Sequence, residues 1–246
     1  MQIKAFIIHL HRAADRRAQV DQLREQLPVE TEILDAIDNK NLSEQDILST
    51  YQRHLHKPRY PFPLSRNEIA CFLSHRKAWQ AIVDQQLDAG FILEDDVALT
   101  ADFAACFATA QTMLQQKPDC FIRFPFRDRE EGELILTQNN IKVLRPRHVG
   151  LGMVAQIVSR EAALKLLQVT QQFDRPVDTF AQMNWITNVD MLTLQPGGVA
   201  EISRDLGGST IKNKKGLFDK LSREILRPLY RSRLRKKIDS LPIKSG

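Results

Sequence analysis

The chain has 246 residues, of which 43% are hydrophobic and 26% charged, so it is long enough to bury a sizeable core. No segment reaches the roughly 18 apolar residues of a membrane span, and the apolar run near the N-terminus is too short for a signal peptide. We therefore expect a globular cytoplasmic protein. The three cysteines, Cys71, Cys106 and Cys120, stand in apolar contexts without metal-ligand spacing, which favours buried thiols over disulfides or a zinc site.

The net charge of +5 is unevenly distributed along the chain. Residues 211–246 contain twelve Lys or Arg against three acids, whereas residues 1–210 carry a net charge of −4. Basic tails of this kind bind phosphates on nucleic acids or membranes, and they also occur as solvated helical extensions. We predict a catalytic body over 1–209 and a basic C-terminal tail over 210–246, separated within "LGGSTIKNKKG".

Apolar periodicity predicts alternating strands and helices, beginning with a strand over 3–10, a helix near 12–27 and a strand near 30–36. Ser65 and Glu68 have the spacing of a capping box, which predicts a helix over 66–87. The next strand, "FILEDD", has its acids at its carboxyl end. In open α/β sheets this edge is where ligands bind.

The alternation continues to about Ser203. We expect a helix over 102–116, short strands over 120–125 and 141–145, and a strand followed by a helix in "GLGMVAQIVSREAALKLLQ". Ser159 is a candidate cap for that helix. The predicted fold class is therefore α/β.

Three consecutive carboxylates follow the apolar run in "GFILEDDVALT". Alternate residues of a strand share a face, so Glu94 and Asp96 should point together while Asp95 points away. One hard cation, Mg²⁺ or Mn²⁺, between Glu94 and Asp96 would relieve their repulsion and could also bind substrate phosphates. The alternative is that the acids stabilise a helix N-terminus near Thr100 without any metal.

The ordered motifs "IIHLHRAADRR", "DAID", "LSRNEIACFLSHRKAW", "FILEDDV", "GLGMVAQIVSREAALKLL" and "RPVDTF" resemble glycosyltransferase family 25, over about residues 3–205. That family includes lipooligosaccharide galactosyltransferases and collagen galactosyltransferases. The resemblance implies a GT-A-like fold with a mixed sheet flanked by helices, a nucleotide-sugar donor, and an acid cluster in the role of an Asp-x-Asp motif. Two departures leave the sugar open: Ala70 replaces a usual Gly, and Met153-Val154-Ala155 replaces a stretch that often carries an aromatic residue.

Several other residues are candidates for donor binding. Arg12 follows the first strand, where a guanidinium can pair with a diphosphate, although this arginine, like Arg16 and Arg17, could be a solvated helix charge. Asp35 ends the second strand and is a candidate for uridine or ribose hydroxyls, or for a helix cap. Asp95 is assigned to the donor site with them.

Ser74 and His75 lie on the predicted helix that precedes the acids. His75 falls on an apolar stripe, which is typical of a core histidine. The resemblance implies instead that both residues reach the donor. Asp178, in "FDRPVDTF", follows a proline expected to begin a helix, so its charge could simply stabilise the helix dipole. The resemblance makes Asp178 a candidate catalytic base or a ligand in the metal or donor shell.

These observations lead to the hypothesis of a metal-dependent, inverting hexosyltransferase that moves galactose from UDP-galactose to a lipooligosaccharide or related envelope glycan. Inversion and the sugar are implied by the resemblance. The alternatives are a glucosyl- or N-acetylhexosaminyltransferase, a metal-dependent phosphohydrolase or nucleotidyltransferase, and a nucleic-acid-binding protein acting through the tail. The chain has no Gly-rich P-loop, which argues against the phosphohydrolase or nucleotidyltransferase. Its tail offers only Phe218 and Tyr230 for stacking on bases, so we do not expect nucleic-acid binding.

The tail also carries a membrane hypothesis. Leu217, Leu221 and Ile225 recur at four-residue spacing, which predicts a short amphipathic helix ending at Pro228, followed by the basic "RSRLRKK". We expect peripheral binding to the anionic inner face of the cytoplasmic membrane, and a chain ending near Ser209 should stay active but lose vesicle binding. The competing interpretation is that the apolar stripe packs on the body or on a second subunit.

Overall fold

The computed structural model describes residues 1–203 and 217–241, with only the backbone described over 217–223. The strands are β1 (Ile3–His9), β2 (Thr31–Asp35), β3 (Ala89–Glu94), β4 (Val97–Leu99), β5 (Cys120–Arg123), β6 (Gly132–Gln138), β7 (Ile141–Pro146), β8 (Ala155–Ser159), β9 (Asp190–Gln195) and β10 (Val199–Glu201). The helices are α1 (Arg17–Gln26, after a 3-10 turn at Ala14–Arg16), α2 (Glu44–Thr50), α3 (Arg66–Asp84), α4 (Phe103–Gln116), α5 (Arg160–Val169), α6 (Val177–Ala181), α7 (Asn184–Thr187) and α8 (Leu217–Asp239).

Eight strands form one mixed sheet in the order β2-β1-β3-β8-β5-β9-β7-β6. The first three run parallel, so their carboxyl ends meet at one edge. Strand β8 runs antiparallel to both of its neighbours, and β6 and β7 form an antiparallel hairpin at the far edge. A small second sheet pairs β4 with β10 and places Glu201 opposite Val97, directly after the acid motif.

Apolar side chains cover both faces of the sheet. Alternate residues of β3 serve different cores: Ile92 packs with the α3 and α5 side, whereas Phe91 and Leu93 pack with the α1 and α4 side. All three of these side chains are fully buried. The end of β3 is therefore held from both faces. The mixed sheet with helices on both faces confirms the predicted GT-A-like α/β fold.

The local signals for helix α3 and helix α5 are also confirmed. Ser65 Oγ accepts a hydrogen bond from the Glu68 amide, and the Glu68 carboxylate accepts one from the Ser65 amide at 2.8 Å. Ser159 Oγ caps α5 by accepting from the Ala162 amide at 3.1 Å. Helix α3 ends at Asp84, slightly earlier than predicted.

Helix α8 differs from its prediction. The expected end at Pro228 is wrong, because the helix continues through this proline to Asp239. Beyond the proline, Tyr230 and Leu234 are buried in the core on the α3 side. The Tyr230 hydroxyl accepts a hydrogen bond from Arg175 Nη1 at 2.8 Å. These contacts hold the helix against the body beyond the proline, whose nitrogen cannot donate a backbone hydrogen bond.

The middle of α8, around Pro228, presents a different surface. Ile225 and Leu229 are 56% and 49% exposed. The side chains of Leu217 and Leu221 lie outside the described residues, as does the predicted boundary between body and tail near 209. Of the helices that the structure describes, none combines the length and apolar character needed to cross a bilayer.

Candidate active site

A cavity opens where the parallel strands β1, β2 and β3 end. It is lined by residues that follow each of these strands and by one face of α3, among them Arg16, Cys71, Ser74, His75, Glu94 and Asp96. The cavity exists because parallel strands place their ends at the same edge, while the capped α3 lies alongside β3. The sheet thus brings the predicted acid motif together with Ser74 and His75.

Asp95 is a buried anion held by two partners from the β1 side. Its carboxylate accepts a hydrogen bond from Arg16 Nη1, and the other oxygen lies 2.8 Å from His9 Nδ1. Arg16 is only 5% exposed, and its Nη1 also donates to Asp96 at 3.2 Å. One guanidinium is therefore shared between Asp95 and Asp96, since β3 ends at Glu94 and both aspartates lie in the turn that follows.

Glu94 and Asp96 are two neighbouring carboxyl groups with few compensating partners among the described residues. Burial, followed by the charge of Glu94, raises the pKa of Asp96 to about 7. The Oδ1 atom of Asp96 is buried and accepts no hydrogen bond from any residue that the structure describes. The Oε1 atom of Glu94 lies 3.3 Å from His75 Nε2. A carboxyl pair with so little compensation can bind an additional cation, which would lower the cost of ionising Asp96.

His75 is buried between the acid cluster and the sheet. Its Nδ1 atom lies 3.3 Å from Gln156 Nε2, opposite the contact with Glu94. Cys71 lies one helical turn earlier on α3, and burial together with the charges of Glu94 and Asp178 raises its thiol pKa. His75 is therefore neither isolated in an apolar core nor open to solvent.

Ser74 has a structural role that its motif does not reveal. Its hydroxyl donates to the Ala70 carbonyl at 2.8 Å and accepts from the Ile37 amide at 2.8 Å. These bonds tie α3 to the segment after β2, and both partners line the cavity with Ser74. Ser74 thus shapes the cavity wall through backbone contacts.

Arg12 and Asp35 lie in an adjoining groove. Arg12 is exposed and forms an ion pair with Asp38 at 2.7 Å, and it lines both the cavity and the groove. Asp35 is exposed at the end of β2 and lines the groove but not the cavity. Arg16, rather than Arg12, is the guanidinium that contacts the acids. The 3-10 turn before α1 buries Arg16 and leaves Arg12 at the surface.

Asp178 lies in the first turn of α6, as predicted. One carboxylate oxygen accepts from the Gly152 amide at 3.1 Å, and the other accepts from the Thr179 amide at 2.6 Å. Asp178 does not belong to the cavity lining that contains the acid motif. It holds the Gly150-Leu151-Gly152 loop, which Arg123 also contacts through two carbonyls.

Four residues complete the site beyond those chosen from the sequence: His9, Arg16, Gln156 and Glu201. His9 and Gln156 lie in strands β1 and β8 within two of the quoted motifs, but nothing in the local pattern marks either side chain as part of a site. Glu201 reaches the cavity only because β10 pairs with β4. Arg16 had a detectable signal, since it is one of three arginines after the first strand, but its burial depends on the 3-10 turn.

Comparison with known proteins places the chain in a family. Residues 2–181 match the model for glycosyltransferase family 25, described as LPS biosynthesis proteins. The chain is 30% identical to a glycosyltransferase 25 family member of Drosophila melanogaster over 190 aligned residues. This alignment covers 72% of this chain and 30% of the relative. It is 34% identical to procollagen galactosyltransferase 2 of Homo sapiens over 101 aligned residues, and this alignment covers 40% of this chain and 16% of the relative.

A third relative is the mouse protein named inactive glycosyltransferase 25 family member 3, which is 29% identical over 107 residues, 41% of this chain and 17% of the relative. The chain thus spans less than a third of the length of these curated relatives. The family match nevertheless includes the three acids, helix α3 and Asp178. On this evidence the chain belongs to glycosyltransferase family 25.

Proposed function

We propose that this chain is a metal-dependent, inverting hexosyltransferase that transfers galactose from UDP-galactose to a lipooligosaccharide or related envelope glycan. Family membership and the galactosyltransferase name of a relative support the reaction and the sugar. The family's description as LPS biosynthesis proteins supports the acceptor class. The observation that carries the proposal is the pair of carboxyl groups, Glu94 and Asp96, in a cavity at the carboxyl edge of the sheet, with Asp96 Oδ1 buried and without a donor among the described residues.

The acid cluster fits a hard divalent cation. Glu94 and Asp96 would hold Mg²⁺ or Mn²⁺, because both ions prefer oxygen ligands and Asp96 Oδ1 lacks a hydrogen-bond donor among the described residues. When bound, the ion supplies positive charge that offsets the charge developing on the diphosphate leaving group. Asp95 keeps Arg16 in place and so fixes the position of Asp96.

Arg12 is suited to the donor diphosphate. It lies at the junction of the cavity and the groove, and its ion pair with Asp38 is at the surface, where such pairs contribute about 0–1 kcal/mol. Exchanging Asp38 for a diphosphate is therefore inexpensive, and a guanidinium can bind phosphate oxygens bidentately. The groove beyond Arg12 then accommodates the nucleoside near Asp35, with the sugar directed towards Glu94.

Two carboxylates compete for the role of catalytic base, which takes the proton of the acceptor hydroxyl as its oxygen attacks the anomeric carbon. Asp178 lies within the residues matched to the family, and we assign the role to it. Glu201 is the alternative because it lines the cavity. Asp178→Asn should lower kcat at least 100-fold with little change in donor affinity, whereas Glu201→Gln should retain most activity. The reverse pattern would transfer the role to Glu201.

The middle and the C-terminal part of α8 supply a surface for an anionic membrane. Ile225 and Leu229 are exposed, and exposed basic side chains follow them along the helix: Arg231, Arg233, Arg235, Lys236 and Lys237. Basic residues near an anionic surface contribute about 1 kcal/mol each, and a few apolar side chains add to this attraction. Membrane binding would place the enzyme beside a lipid-linked acceptor.

Point substitutions test this surface better than truncation, because truncation would also remove Tyr230 from the core. Leu229→Glu should abolish sedimentation with vesicles that contain phosphatidylserine. Leu48→Glu is the matched control, since Leu48 is 74% exposed on α2, far from the basic residues in sequence. Unchanged sedimentation of the Leu229 variant would refute the membrane role.

The enzymatic proposal is tested by offering a panel of UDP-hexoses and UDP-N-acetylhexosamines with short glycosyl acceptors. Mass spectrometry of the products should show a galactosyl adduct that forms fastest from UDP-galactose. Preference for another sugar would replace the donor but keep the reaction class. Release of inorganic phosphate without a glycosylated product would instead identify a phosphohydrolase.

A further inference from the structure

Helix α3 and strand β3 bring together three metal-binding groups of different chemistry. Cys71 and His75 are four residues apart and share a face of the helix, and Glu94 ends the adjacent strand. The Cys71 sulfur, a ring nitrogen of His75 and a carboxylate oxygen of Glu94 all lie within 4.8 Å of one another. A set of sulfur, nitrogen and oxygen differs from the oxygen ligands that Mg²⁺ prefers.

We propose that Cys71, His75 and Glu94 form a binding site for a thiolate-preferring divalent cation of the Zn²⁺ class. Ligand atoms around tetrahedral zinc are about 3.5 Å apart, so side-chain rotations that move the three ligand atoms by about 1 Å would complete the site. All three residues line the cavity, which provides an entry path and leaves the fourth position open to water. On binding, the Cys71 thiol releases its proton to solvent and coordinates as the thiolate.

Gln156 provides an independent indication of this site. It is fully buried, its Nε2 atom lies 3.3 Å from His75 Nδ1, and its Oε1 atom has no hydrogen-bond partner within the described part of the chain. Metal-bound histidines usually donate their second ring N–H to an oxygen acceptor. Turning the Gln156 amide over would place Oε1 on His75 Nδ1–H and direct the lone pair of His75 Nε2 towards Glu94. The buried amide would then fix the tautomer required for coordination.

Sharing of Glu94 has a consequence for activity. A Zn²⁺ ion at this site would take Glu94 away from the Mg²⁺ or Mn²⁺ position that includes Asp96. Zn²⁺ should therefore inhibit sugar transfer even in the presence of Mn²⁺. This consequence rests on the proposed function, whereas the binding site itself does not.

Co²⁺ is a suitable spectroscopic probe, because Co²⁺ bound to a thiolate gives a charge-transfer absorption band. Titration of the full chain with Co²⁺ should produce this band, and excess Zn²⁺ should remove it. The band should be lost in Cys71→Ser and retained in Cys106→Ser, because Cys106 is buried on the opposite face of the sheet. His75→Gln should weaken Co²⁺ binding at least 10-fold. A wild-type chain without the band, or a Cys71→Ser variant that keeps it, would overturn the proposal.

A second measurement needs no variant. Cys71 is half-buried at the cavity wall, so a small alkylating reagent can reach it in the native chain. Because burial raises its thiol pKa, the reaction is run at mildly alkaline pH, where more of the reactive thiolate is present. Zn²⁺ should slow its alkylation at least 10-fold, as followed by mass spectrometry of the Cys71 peptide, whereas Mg²⁺ should not. Equal alkylation rates with and without Zn²⁺ would refute the site, whatever the outcome of the transfer assays.

Discussion

Replacing Asp96 by asparagine should stabilise the metal-free protein at alkaline pH. Burial and the charge of Glu94 raise the pKa of Asp96 to about 7, from an ordinary value of 3.8. Between these two pH values the folded chain binds a proton that the unfolded chain has released, so the free energy of unfolding falls as the pH rises. At about 1.4 kcal/mol per pH unit, the total loss by pH 8 is at most about 4 kcal/mol.

The Asp96→Asn variant keeps the shape of the side chain and removes its charge, so this loss should disappear. About two of the roughly three pH units that separate the two pKa values lie between pH 5 and pH 7. The stabilisation should therefore be about 2–3 kcal/mol larger at pH 8 than at pH 5. Urea denaturation in EDTA at both pH values measures the difference.

Asp102→Asn is a suitable control, because Asp102 is exposed and makes no side-chain cap bond to α4. The difference in stability between this variant and the wild type should be nearly the same at the two pH values, because both keep Asp96. If the Asp96 variant is no more stabilised at pH 8 than at pH 5, the acid cluster does not carry the excess charge on which the cation site depends.

Two further predictions concern hydrogen bonds of buried arginines. Arg16→Gln should lower the free energy of unfolding by about 3–5 kcal/mol because it leaves Asp95 buried without its guanidinium, whereas Arg12→Gln removes a surface pair and should cost at most about 1 kcal/mol. Similar losses for both would contradict the buried ion pair. Tyr230→Phe should cost about 1–3 kcal/mol, since buried Arg175 loses a hydrogen-bond acceptor, and no loss in urea denaturation would mean that α8 does not depend on this contact.

Local signals in the sequence predicted much of the fold. The capping box at Ser65, the Ser159 cap and the apolar strands all depend on nearby residues, so they could be recognised without tertiary information. Strand β6 escaped prediction because it is an exposed edge strand with little apolar alternation in its burial. A signal was present in Asn139 and Asn140, which both adopt positive φ in the hairpin turn, as type I′ turns require.

Long-range contacts account for most of what the sequence did not reveal. The continuation of α8 past Pro228 depends on Tyr230 meeting Arg175, a residue 55 positions earlier in the chain. The burial of Arg16 depends on Asp95, which is 79 positions away. Strand alternation placed Glu94 correctly within β3 but did not apply to Asp95 and Asp96, because the strand ends before them. The acid motif itself was visible because its three charges are consecutive.

We propose that Glu94 and Asp96 support sugar transfer through a bound divalent cation. Incorporation of labelled galactose from UDP-galactose into a short glycosyl acceptor should be measured for the wild type and for Asp96→Asn, with Mn²⁺ and with EDTA. We expect transfer only by the wild type with Mn²⁺, and at least a 100-fold loss in the folded Asp96 variant. Transfer by the wild type at full rate in EDTA, or by the Asp96 variant at a wild-type rate in limiting Mn²⁺, would contradict this claim.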